Sequence, residues 1–236
     1  MILRSFTIAL SIALAACSGP SMPARAQDIG AALTVPRPAP PPQAAQNLRS
    51  SISRNDPARM LVIGDSLAQG FGLLLQQQTV TRDLAITVTN RGRVSTGLAR
   101  ADYYNWPDQF TAMIAAQDPD IIVAHFGAND MQEVNAPEGR TARGTPDWEV
   151  AYRVQIRKIL ALAAENDIVV YWIGPGPDGN RELNAHLAQI NPWINEETTS
   201  AGGVYFPITD FTTSSDRKFA RTVTVDGRVM AMRTAD

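Results

Sequence analysis

The chain has 236 residues, of which 21 are Lys or Arg and 23 are Asp or Glu, for a formal net charge of −2. Without a basic run, that balance argues against nucleic acid as a partner, since phosphate backbones are held by clustered Lys and Arg. The one cysteine, Cys17, excludes an intrachain disulfide. Once the non-globular residues before Pro57 are set aside, the length suits one sizeable domain.

The chain opens on Met1–Ala16, where Arg4 precedes an apolar run from Phe6 to Ala16. That run is too short to span a bilayer and reads as an export signal. Leu14-Ala15-Ala16-Cys17 has the form of a bacterial lipobox, in which Cys17 is acylated and becomes the first mature residue. The expected location is the periplasm, with Cys17 as an anchor to the outer membrane. Ala24-Arg25-Ala26 is a rival cleavage site, but Cys17 follows the apolar run directly and Ala26 does not. Residues 17–57 are rich in Pro and Ala and centre on Pro36-Arg37-Pro38-Ala39-Pro40-Pro41-Pro42. Such a stretch favours extended polyproline geometry and reads as a tether.

From residue 58 to 236 the pattern becomes that of a domain. Short apolar runs at Met60–Ile63, Ala85–Thr89, Ile121–Phe126, Ile168–Ile173 and Val204–Ile208 predict strands. Helical spacing between them predicts helices near Leu67–Gln77, Pro107–Gln117, Trp148–Asn166 and Glu182–Ser200. That alternation is the signature of βαβ units and a parallel sheet. Alternating residues around Asp226-Gly227 predict a hairpin over Thr222–Met232, which would carry Asp236 to the sheet edge.

Three motifs follow predicted strands in order. In Gly64-Asp65-Ser66-Leu67, Ser66 stands at a strand-to-helix turn, where open α/β folds keep their chemistry and a helix N-terminus favours developing negative charge. Gly97, in Ser95-Thr96-Gly97-Leu98, lets a backbone N–H approach a substrate oxygen. Asn129, in Gly127-Ala128-Asn129-Asp130, can donate its amide to an oxyanion on the same rim. Asp65 and Asp130 flank these groups as candidate support. The aromatic run Tyr103-Tyr104-Asn105-Trp106 reads either as a sugar-stacking wall or as packing before the next helix.

These blocks resemble the SGNH (GDSL) family of ester hydrolases, most closely an exported proteobacterial branch ending in a pattern like Arg-x-x-Asp-Gly-(Ile/Val)-His-Phe. The resemblance covers Arg59 to Asp236. It implies a three-layer, flavodoxin-like α/β fold with a mostly parallel five-stranded sheet and helices on both faces. It also implies a Ser66 nucleophile, an oxyanion hole from Ser66, Gly97 and Asn129, and Asp236 as the triad acid. Arg233-Thr234-Ala235-Asp236 matches the first half of the terminal pattern, and the histidine would fall three residues later. The implied activity is an esterase or acyltransferase acting on a small acyl ester or an acylated envelope glycan. The chain as given is expected to be impaired for want of that histidine, and the alternative is a non-catalytic envelope binding or scaffold protein.

Two histidines are present, His125 and His186. His125 lies within a predicted strand and reads as a core residue rather than a base. His186 is expected to be exposed and remote from every motif. Neither has Cys, Asp or Glu at metal-ligand spacing, so no metal is expected. No cofactor is expected either: Gly64–Gly70 lacks the ending of a phosphate loop, and Gly70-Phe71-Gly72 lacks the third glycine of a dinucleotide fingerprint.

Overall fold

The computed structural model describes Leu48, Phe219 and residues 51–212, 222–225 and 228–231. The expected export signal, most of the tether, Cys17 and Asp236 lie outside the described residues.

Five strands form one fully parallel sheet: β1 (Ala58–Gly64), β2 (Ile86–Asn90), β3 (Ile121–His125), β6 (Val169–Gly174) and β7 (Val204–Pro207), in the order β2-β1-β3-β6-β7. The helices are α1 (Ser66–Thr81), α2 (Trp106–Gln117), α3 (Pro146–Glu165), α4 (Arg181–Ser200) and the short α5 (Thr209–Thr212). Two antiparallel hairpins complete the described chain. One pairs β4 (Val134–Ala136) with β5 (Gly139–Thr141), and the other pairs β8 (Thr222–Val225) with β9 (Arg228–Ala231).

Burial explains why the central strands β1, β3 and β6 read as near-continuous apolar runs. A parallel sheet covered on both faces has no solvent side. Successive residues of β1 therefore serve two cores. Leu61 and Ile63 join Ile122, Ala124, Val170 and Trp172 beneath α2, α3 and α4. Met60 and Val62 join Ile121, Val123, Val169 and Tyr171 on the opposite face, beneath α1. Leu48 and Ile52 pack against that second core, so the end of the predicted tether is part of the packed structure.

Three helix-to-strand turns pass through left-handed residues, Asp83 (φ 51), Asp118 (φ 44) and Asp167 (φ 56). Aspartate tolerates this region better than most side chains, which explains why these helices stop without a glycine. Pro192 lies inside α4. The helix continues through it because Leu187, Ile190 and Ile194 are buried on both sides of the break, and that burial outweighs the lost hydrogen bond. Among the described residues, no helix is long and apolar enough to cross a membrane.

Candidate active site

Ser66 is the first residue of α1 and is exposed at the carboxyl end of β1. Asp65, fully buried, caps the helix by accepting from the N–H groups of Leu67 at 2.9 Å and Ala68 at 3.4 Å. The N–H of Ser66 itself has no carbonyl one turn back within the helix, so this turn offers a donor beside its own hydroxyl. Two backbone bonds fasten the turn to its neighbours. Arg93 N–H donates to the Gly64 carbonyl at 2.8 Å, and Asp65 N–H donates to the His125 carbonyl at 3.2 Å.

The loops after β2 and β3 meet at the same edge. The Asn129 amide donates to the Thr96 carbonyl at 2.8 Å, which spends one of its two hydrogens next to Gly97. Asp130 accepts from the N–H of Ala99 at 2.8 Å and from the Tyr152 hydroxyl at 2.9 Å. A Cβ at Gly97 would fall on the Asp130 carboxylate, so glycine is required there by close approach. The structure thus brings Gly97, Asn129 and Asp130 into one cluster and sets Ser66 on the same rim.

Burial dominates the electrostatics of this cluster. It raises Asp130 to about 6, against the pull of its bonds from Ala99, Tyr152 and Leu98, and the charge of Asp65 adds to the rise. The Tyr152 hydroxyl is pushed well above its ordinary value, first by burial and then by Asp130. An acid whose pKa is raised on folding contributes most to stability below its unfolded value near 3.8. That contribution is lost as pH rises through about 6. The wild-type chain should therefore lose about 2 to 3 kcal/mol relative to Asp130→Asn between pH 4 and pH 7. Urea denaturation of both chains at each pH measures the difference. A relative gain for wild type would mean that the three hydrogen bonds hold Asp130 ionised.

Residues that sequence reasoning passed over grip the Asn129 loop from the helices. The Trp148 indole donates to the Gln132 carbonyl at 2.8 Å, and the Gln132 amide donates to the Asn129 carbonyl at 2.6 Å. Trp148 and Tyr152 stack with centroids 5.3 Å apart and planes 10° from parallel. An aromatic pair four apart on a helix whose other buried apolar residues are aliphatic was the available signal.

His186 corrects an expectation. It is buried, not exposed, and its Nε2 lies 3.2 Å from the carbonyl of Gly127 in the asparagine block. Burial lowers its pKa to about 4, with the Arg143 charge lowering it further and the Gly127 bond opposing. At neutral pH the ring is uncharged and Nε2–H donates to Gly127. The cause is helical spacing: His186 shares the buried face of α4 with Leu187, Ile190 and Ile194. His125 is also buried, with Nδ1 donating to the Ile173 carbonyl at 2.9 Å and its ring edge-on to Phe71. Neither histidine is exposed at the rim.

The aromatic run divides. Trp106 is buried in the core against Phe126, with centroids 5.2 Å apart, so it does not line a cleft. Tyr104 is half-buried on the edge of Trp106, and Tyr103 is exposed.

The fold is that of the GDSL, or SGNH, hydrolases. A GDSL-like lipase from Bacteroides thetaiotaomicron superposes with a TM-score of 0.52 at 16% identity, covering 78% of this chain and 85% of its own. A protein of the G-D-S-L family from Desulfitobacterium hafniense gives 0.51 at 14% identity, covering 69% and 84%. An alpha/beta hydrolase from the metagenome of Lake Arreo, Spain, gives 0.50 at 14%, covering 69% and 87%. By sequence, residues 59–236 match the family described as "Protein of unknown function (DUF459)", and the chain belongs to that family. No curated protein matches the chain by sequence.

Proposed function

We propose that this protein is an exported SGNH-type serine esterase or acyltransferase that acts on acyl esters of the cell envelope. The observation that carries this reading is the convergence on one sheet edge. An exposed serine at a helix N-terminus shares that edge with an asparagine amide bonded to the glycine loop.

The Ser66 hydroxyl would attack the acyl carbon while a base takes its proton. The oxyanion would face the N–H groups of Ser66 and Gly97 and the Asn129 amide. Collapse would expel the alcohol with that proton. The acyl group left on Ser66 would then pass to water in hydrolysis, or to a second hydroxyl in transfer. Asp65 and Asp130 act as positioning residues, the first capping the Ser66 helix and the second tying the glycine loop to the asparagine loop. Asp236 is proposed as the triad acid, the role that the resemblance to the exported branch implies for it. Turnover of 4-nitrophenyl acetate by the chain extended past Asp236 with Gly-Ile-His-Phe and a family member's terminal helix, lost in Ser66→Ala, is the direct test. Turnover that survives this substitution would refute the assignment.

The envelope setting rests on the apolar run before Cys17. Cells fed alkynyl palmitate should label the wild-type protein and leave Cys17→Ala unlabelled. A mature chain beginning at Gln27 without lipid would show instead that Ala26 is the cleavage site.

A further inference from the structure

Resting on the reading of Ser66 as nucleophile, the surroundings of that residue point to the charge of its substrate. Helix α1, which begins at Ser66, carries no charged side chain. The stretch Asn90–Ala101 that runs past it carries three arginines and no acid, in a chain whose net charge is −2. Arg100 is committed to Asp102 at 2.7 Å. Arg91 and Arg93 are exposed, and among the described residues neither forms an ion pair.

This segment is held close to the nucleophile. Arg91 N–H donates to the Val62 carbonyl at 2.9 Å, and Arg93 N–H donates to Gly64, two residues before Ser66. Between them, Gly92 lies so close to the backbone of Ala68 and Gln69 that no Cβ would fit. The loop is thereby pressed onto the first turns of the Ser66 helix. The Arg93 side chain reaches across the sheet edge to Tyr104, with its guanidinium carbon 4.6 Å from the ring centroid. Tyr104 is itself braced by buried Trp106 at 4.9 Å. Stacking occupies the face of a guanidinium and leaves its edge N–H groups directed outward, in the fork geometry that matches a carboxylate.

We propose that Arg93, assisted by Arg91, forms a carboxylate-binding subsite beside Ser66, so that the ester taken by this site carries an anionic group. The carboxylate can belong to an acidic sugar bearing the ester or to the free end of a dicarboxylic acyl chain. A neutral short-chain acyl group on a neutral glycan would leave the subsite empty.

Calorimetric titration of the purified 236-residue chain at low salt tests this with three probes. Trigalacturonate carries the charge on a sugar, monomethyl succinate carries it on an acyl chain, and maltotriose is neutral. At least one anionic probe should bind, more weakly in 300 mM salt, and maltotriose should not. Arg93→Met should weaken that binding at least five-fold, with Arg93→Lys between the two. Binding of trigalacturonate alone assigns the charge to the glycan, and binding of monomethyl succinate alone assigns it to the acyl chain. The proposal is overturned if neither anionic probe binds or if Arg93→Met binds like wild type while remaining folded by circular dichroism. Failure of the esterase reading is seen separately, as ester turnover by the chain extended past Asp236 that persists in Ser66→Ala.

Discussion

Extending the polypeptide past Asp236 with Gly-Ile-His-Phe and the terminal helix of a family member should raise turnover of 4-nitrophenyl acetate at least about 10³-fold. A serine hydroxyl is a weak nucleophile at neutral pH, and deleting the histidine of a serine hydrolase costs on the order of 10⁶ in rate. Within the 236 residues, His125 Nδ1 faces the Ile173 carbonyl and His186 Nε2 faces the Gly127 carbonyl, and both rings are buried. Ser66 is exposed whereas both rings are buried, so neither histidine is expected to serve as its base. Ser66→Ala in the extended chain should remove the gain entirely. Robust turnover by the unextended chain, abolished in His125→Ala, would instead make His125 the base.

The second large effect belongs to Asn129. In the extended chain Asn129→Ala should lower kcat by about 10²–10³ and leave KM nearly unchanged, as expected for a donor that acts on the transition state rather than the bound ester. Asn129→Asp should be worse than Asn129→Ala, because an ionised carboxylate offers the oxyanion no donor and repels it. Steady-state kinetics with the same ester measure both. A loss confined to KM would mean that Asn129 binds the ester's ground state. The amide's bond to the Thr96 carbonyl explains how it is held in place before any substrate arrives.

The central strands β1, β3 and β6 were legible because they are buried on both faces and so appear as near-continuous apolar runs, whereas the edge strands β2 and β7 are only partly buried and showed as short β-branched or aromatic segments. Their bounds shift by a residue or two because a strand ends where its neighbours stop pairing with it, and one segment does not reveal its neighbours. The hairpin of β4 and β5 was not legible. Three-residue strands hold no period, and Val134, its one fully buried residue, has no local pattern. Ser66, Gly97 and Asn129 were visible as motifs, since each sits just past a strand. The groups that hold them were not. Tyr152 reaches Asp130 across 22 positions of sequence, and His186 reaches Gly127 across 59. Such pairings depend on how α3 and α4 lie over the sheet, and helical spacing alone shows only that these residues share a buried face.

Mass-spectrometric mapping of the extended chain after reaction with a fluorophosphonate tests the assignment of the nucleophile most directly. One phosphonylated residue is expected, Ser66, with ester turnover falling in step with its modification. Label on any other residue, or turnover that persists with Ser66 fully modified, would contradict an acyl-transfer site built on Ser66.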